Sequence, residues 1–121
     1  MQIEFLNTDF SVCKVHRVPE YLLSDRFCFV GKTDEELSLV CETSKAPENA
    51  LAREDGWTAF RISGVLDFSL VGILAPIAKI LADEKIGIFA VSTYNTDYVL
   101  IKKEHAEKAA QALAHAGYII K

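Results

Sequence analysis

The chain has 121 residues, is 50% hydrophobic and carries a formal charge of −4, the composition of a soluble globular protein of one small domain or two very small halves. The acidity and the lack of any Lys/Arg cluster exclude a nucleic-acid footprint. No apolar run approaches the ~20 residues that span a bilayer, so no membrane role is expected.

MQIEFLNTDF lacks the basic-then-apolar layout of a signal peptide, and a cytoplasmic location is expected. Cys13, Cys28 and Cys41 form no CxxC pair and no Cys/His ligand spacing. Reduced thiols follow, with no metal and no cofactor.

Residues 1–18 hold the first strand material, in which Phe10, Val12 and Lys14 alternate with Ser11, Cys13 and Val15. The alternation does not fix the buried face. Pro19 ends the strand, because proline has no N–H to give a ladder. Pro19–Leu23 can add one helical turn, with the proline at its first position. Phe27–Lys32 and Leu37–Thr43 read as a hairpin around Thr33–Glu36. A turn centred between Asp34 and Glu35 makes Cys28 face Cys41, Val30 face Leu39, and Lys32 face Leu37. Cys28 and Cys41 then share an apolar face and read as core thiols ahead of a redox pair. Phe27 and Phe29 on the other face call for a second cover: a helix, the other half of the chain, or another subunit.

Ala46–Ala52 is a candidate short helix, and Gly56 is expected to release the chain into a strand from Trp57 to Val65. Composition shifts here, which divides the chain into halves 1–56 and 57–121. Asp67 or Ser69 can cap the next helix, whose stripe is Leu70, Ile73, Leu74, Ile77, Ile80 and Leu81. Pro76 breaks that pattern, so the regular helix starts near Ala75 or kinks there. Ile86–Thr93 is a strand, Asn95-Thr96-Asp97 turn it, and Tyr98–Lys102 return. Glu104–Ala116 is a helix with a stripe of Ala106, Ala109, Ala110 and Leu113, ended by Gly117. Tyr118–Ile120 closes as a short strand.

From residue 57 the order is strand, helix, strand, strand, helix, strand. That predicts an α+β, ferredoxin-like βαββαβ fold. The first half repeats the order in a thinner form, as a degenerate duplicate.

The second half resembles an ACT domain, a small-molecule-binding regulatory module of amino-acid metabolism. The resemblance rests on Asp67–Leu74 (DFSLVGIL), Ala82–Ile88 and Ser92–Ile101, with Glu36–Glu42 and Gly56-Trp57 pointing to the CASTOR and aspartokinase-like branch of small tandem proteins. Val71 stands where the family has proline, while Gly72 and Ile73 match. The resemblance implies a degenerate ACT-like half over 1–56, an ACT domain over 57–121, and an amino acid bound near an interface between ACT units. It implies two groups of ligand-binding residues: Asp67, Phe68, Ser69, Val71 and Gly72 at a helix start, and Thr93, Tyr94, Asn95, Thr96 and Asp97 in the hairpin turn. Backbone N–H groups at a helix start attract a carboxylate. Asp97 suits an ammonium, and Asn95 both donates and accepts.

Each residue also has a plain structural role. Asp67 can be a cap, Gly72 a packing residue, Asn95 and Asp97 turn formers, and Tyr94 a packing group. His16, His105 and His115 read as solvated. No motif sets a base beside a nucleophile, so no catalysis is expected. The expected function is a homodimeric amino-acid sensor acting on a separate regulated protein. The alternative is a ligand-free structural or interaction module that uses the fold through an exposed edge or through Phe27 and Phe29.

Overall fold

The computed structural model describes residues 1–67 and 69–121. Among the described residues eight strands and two α-helices follow one another: β1 (Gln2–Phe5), β2 (Phe10–Lys14), β3 (Cys28–Lys32), β4 (Leu37–Glu42), β5 (Ala52–Ile62), α1 (Leu74–Asp83), β6 (Phe89–Ser92), β7 (Asp97–Lys102), α2 (Ala106–His115) and β8 (Ile119–Ile120). Backbone contacts divide the chain into two compact units, Thr8–Trp57 and Met1–Asn7 with Thr58–Lys121. Each is ACT-like. No helix among the described residues is long and apolar enough to cross a membrane.

In the Thr8–Trp57 unit the strand order is β3-β4-β2-β5, with β2 antiparallel to β4 and to the first part of β5. The β3–β4 hairpin has the expected register, with Cys28 opposite Cys41, Val30 opposite Leu39 and Lys32 opposite Leu37. Thr33 closes it: its N–H donates to Glu36 O at 2.9 Å, and its hydroxyl accepts from the N–H groups of Glu35 and Glu36. The core is small, formed by Cys13, Val15, Leu22, Leu39 and Cys41.

Ala46–Ala52 is not a helix. A three-residue 3₁₀ turn, Thr43–Lys45, ends at Ala46, which is extended at φ −64° and ψ 139°. The ring of Pro47 forces this, because the residue before a proline is excluded from helical ψ. Nor does Gly56 start a strand. β5 already runs at Ala52, and its pairing with β2 slips between Phe10↔Trp57 and Val12↔Glu54. Gly56 has φ +88° beside that slip, a bulge conformation that glycine accepts without strain.

In the other unit the order is β6-β7-β5-β1-β8. In the plain βαββαβ arrangement the closing strand lies beside the first. Here β1 stands between them, antiparallel to β5 (Ile3↔Ile62) and parallel to β8 (Ile3↔Ile120). On one sheet face Ile3, Phe60, Ile62, Val99 and Ile101 meet Ile77 and Leu81 of α1 and Ala109 and Leu113 of α2. The helical periodicity predicted both stripes, apart from Leu70 and Ile73, which lie outside the helix.

α1 starts at Leu74, with Ile73 as the N-cap and no side-chain cap. Neither Asp67 nor Ser69 caps it. Pro76 explains the late start. As the third helical residue it needs no N–H donor, whereas deeper in a longer helix it would remove a hydrogen bond. Both helices end alike. The N–H groups of Lys85 and Ile86 donate to Ala82 O and Leu81 O, both at 2.9 Å, and those of Gly117 and Tyr118 donate to Ala114 O and Leu113 O at 3.0 and 3.1 Å. This is the Schellman pattern, which needs a left-handed residue after the cap. Gly117 supplies it at φ +104°, and Lys85 at φ +61°. The segment after Lys85 docks Ile86 in the core before β6 begins at Phe89, so the strand expected from Ile86 is shorter.

Candidate functional site

A cleft of about 200 Å³ lies between the segment that follows β5 and the β6–β7 turn, lined by Leu66, Asp67, Leu70, Ile73 and Ser92–Asp97. The two segments are held together by their backbones: Leu66 N–H donates to Asn95 O at 2.7 Å. Thr96 is the anchor on the turn side. Its side chain is buried and donates to Ile62 O at 2.8 Å, tying the turn to the end of β5. Thr93 shapes the turn, with its N–H donating to Thr96 O at 2.9 Å and its hydroxyl to the same oxygen at 3.0 Å.

Two carboxylates line the cleft. Asp67 accepts from Ser69 N–H at 2.8 Å and from the Ser69 hydroxyl at 2.7 Å, both on Oδ1. These two bonds, the backbone one first, hold the Asp67 carboxyl below its ordinary value, so it is charged at neutral pH. Asp97 accepts from the Ser92 hydroxyl at 2.6 Å across the hairpin, where the two residues are opposed. Neither has a Lys, Arg or His partner among the described residues. Leu66, Leu70 and Ile73 provide apolar wall. The cleft can therefore hold a small molecule with an ammonium group and some apolar surface. Its volume lies below the ~300–1,000 Å³ of drug-sized pockets, which restricts the ligand to a few heavy atoms.

The structure brings Asp67 together with Thr93, Tyr94, Asn95, Thr96 and Asp97. Ser69, Val71 and Gly72 do not line the cleft. Ser69 instead locks the Asp67 carboxylate, and Val71 is 88% exposed. Gly72 has φ +71°, and a Cβ there would meet no described atom within 4 Å, so backbone conformation and not close approach requires glycine. Phe68 lies outside the described residues. Sequence reasoning missed Leu66, Leu70, Ile73 and Ser92. Ser92 was detectable from hairpin pairing, since it is the partner of Asp97. Leu70 and Ile73 were assigned to a helix stripe, which hid their place in the wall.

Among the described residues no group of three or more His, Cys, Asp or Glu is placed to hold a metal ion. Cys41 is buried and its thiol is pushed up to about 12, first by burial and then by the neighbouring Cys13 and Cys28. Cys13 and Cys28 are raised as well, chiefly by burial.

Two halves of ferredoxin-like order, one of them with a loop-and-turn cleft, define a tandem ACT-like module. A family model described as an ACT domain matches residues 52–115, more than half of the chain, and the chain belongs to the ACT domain family. Protein Atu0741 from Agrobacterium tumefaciens is 29% identical, with a TM-score of 0.89 over 99% of this chain and 91% of that one. VC0802 from Vibrio cholerae, a protein of unknown function described as a possible transport protein, is 26% identical, with a TM-score of 0.73 over 94% and 88% of the two chains. The regulatory subunit of aspartate kinase from Thermus thermophilus, in its ligand-free form, shares the fold at 14% identity and a TM-score of 0.66, over 97% of this chain and 98% of that one. No curated protein matches the chain.

Proposed function

We propose that the chain is an amino-acid-binding regulatory module, and that the cleft between Leu66–Ile73 and Ser92–Asp97 is its site. One observation carries this reading: two separate segments converge on one small cleft whose polar lining includes two carboxylates without cationic partners. Asp97 takes the ligand's ammonium, Asn95 bonds its polar atoms, and Leu66 and Leu70 contact its side chain. The ligand carboxylate goes to the start of α1, where Leu74 and Ala75 offer N–H groups and Pro76 offers none. Likeness to a regulatory subunit supports control of a separate protein. β6 is an edge strand, and Val65, Val71 and Tyr94 expose apolar surface near the cleft, which supports a homodimer.

The test is a thermal-shift screen against the twenty amino acids. A ligand that binds only the folded chain stabilises it by RT ln(1 + [L]/Kd), about 2.7 kcal/mol at a hundredfold excess over Kd. A selective shift that disappears in Asp97→Ala is the expected result. No shift with any amino acid at millimolar concentration overturns the reading in favour of an interaction module. Sedimentation as a strict monomer at micromolar concentration overturns the dimer.

A further inference from the structure

A cleft of about 940 Å³ opens within the Thr8–Trp57 unit, between the segment that follows β2 and Pro47–Asn49. Its origin is architectural. Where the other unit carries two ten-residue helices, this one has a five-residue 3₁₀ turn, Glu20–Ser24, and the non-helical chain after Lys45. The missing helical volume leaves a hollow. The Tyr21 hydroxyl donates to Lys45 O at 2.9 Å and so links the two segments. Val15 and Pro47 are buried at its base.

Elsewhere in the unit Arg26 pairs with Glu42, Lys45 with Asp25, and Arg53 with Asp55. Around the cleft stand Arg17, Glu20, Glu48 and Asn49, all exposed, with no hydrogen bond or ion pair to one another or to any described residue. Both signs of charge are thus presented to solvent in one hollow, with an amide beside them. A guanidinium presents a fork that fits a carboxylate. Glu20 and Glu48 fit an ammonium, and Asn49 can donate to and accept from a peptide group. A volume at the upper end of the ~300–1,000 Å³ range of small-molecule sites exceeds the need of a single amino acid.

We propose that this cleft is a second, independent binding site, for a zwitterionic ligand of dipeptide size. Arg17 holds the carboxylate, Glu20 and Glu48 the ammonium, Asn49 the central amide, and Val15 and Pro47 an apolar side chain.

The test is titration calorimetry of the full chain with alanyl-leucine, N-acetyl-alanyl-leucine, alanyl-leucinamide and free leucine. Alanyl-leucine is expected to bind, and each blocked form to bind about tenfold more weakly or worse, since each loses a charge-assisted contact. Arg17→Gln is expected to weaken the free dipeptide to the level of its amide while leaving the amide unchanged. The double variant Glu20→Gln/Glu48→Gln is expected to do the same with respect to the N-acetyl form. Asp97→Ala, which disables the first cleft, is expected to leave dipeptide binding intact. The substituted residues here are exposed, and far-ultraviolet circular dichroism checks that each variant is folded. No heat with alanyl-leucine at millimolar concentration overturns the proposal, as do equal affinity for the blocked forms, indifference to Arg17→Gln, or loss of dipeptide binding in Asp97→Ala.

Discussion

The two units share a hairpin laid beside a first strand, β3-β4-β2 and β6-β7-β5, on different foundations. Both hairpin turns are closed by a threonine whose N–H donates at 2.9 Å to the oxygen three residues on, Thr33 to Glu36 and Thr93 to Thr96. Both central strands, β4 and β7, lead directly into a three-residue 3₁₀ turn. The difference lies in what covers the sheet. Met1–Asn7 with Thr58–Lys121 uses two amphipathic helices over a continuous apolar core. Thr8–Trp57 uses a small thiol-rich core and polar ties. In the latter, Ser11 is fully buried, donates to Asp55 Oδ1 at 2.5 Å and shares a hydrogen bond with Thr43 Oγ1 at 2.9 Å. Strand order and turn chemistry therefore survive the loss of a helical layer when directional bonds replace part of the apolar contact.

The strongest test of that contrast is truncation of the two cores. Leu113→Ala and Leu22→Ala each remove a fully buried side chain and are expected to cost about 2–5 kcal/mol, measured by urea unfolding. A cost well under that range for Leu22→Ala alone would mean that the polar ties, and not its core, hold the smaller unit. Thr96→Val comes next. It strips the donor from Ile62 O and leaves a buried acceptor unpaired, for an expected loss of about 1–3 kcal/mol and a weaker ligand-induced thermal shift.

The polar ties predict a pH dependence in the smaller unit. The hydrogen bond from the Lys45 ammonium holds the Asp25 carboxyl below its ordinary value. A depressed carboxylate contributes stability that is present above its unfolded pKa, about 3.9, and lost as pH falls through its folded value. Lys45→Met is therefore expected to be less stable than the wild type at neutral pH, with the gap closing below about pH 4. A gap that stays constant to pH 2.5 would remove the ion pair from the account. The smallest effect is at Lys85. Its left-handed backbone suits glycine, and Lys85→Gly is expected to raise stability by about 0.5–1 kcal/mol.

What the sequence revealed divides along physical lines. Period-two alternation and a short turn were enough for the β3–β4 register, since one pairing at Cys28 and Cys41 fixes the rest. Helical stripes and Gly117 were readable because they are local patterns. Two kinds of feature were not. Pro76 and Pro47 act on backbone several residues away, moving one helix start to Leu74 and abolishing another helix at Ala46. The insertion of β1 between β5 and β8 depends on pairing at long range, which no window of sequence contains. At the candidate site all five turn residues named from the sequence line the cleft, whereas of the described loop residues Asp67 does and Ser69, Val71 and Gly72 do not. Asp67 was readable as functional or structural, and it both bonds Ser69 and lines the cleft.

The position of β1 also bears on how the chain reaches this state. Gln2 and Ile3 pair with Ile119 and Ile120, so the sheet of the larger unit is completed only when segments from nearly opposite ends of the chain meet. Loop-closure entropy grows only with the logarithm of loop length, so this contact costs little stability. Its cost is kinetic. Pairings of such sequence separation raise contact order and slow folding, and until they form, β5 and β8 each lack a neighbour. The smaller unit draws its strands from one uninterrupted stretch and is free to assemble first.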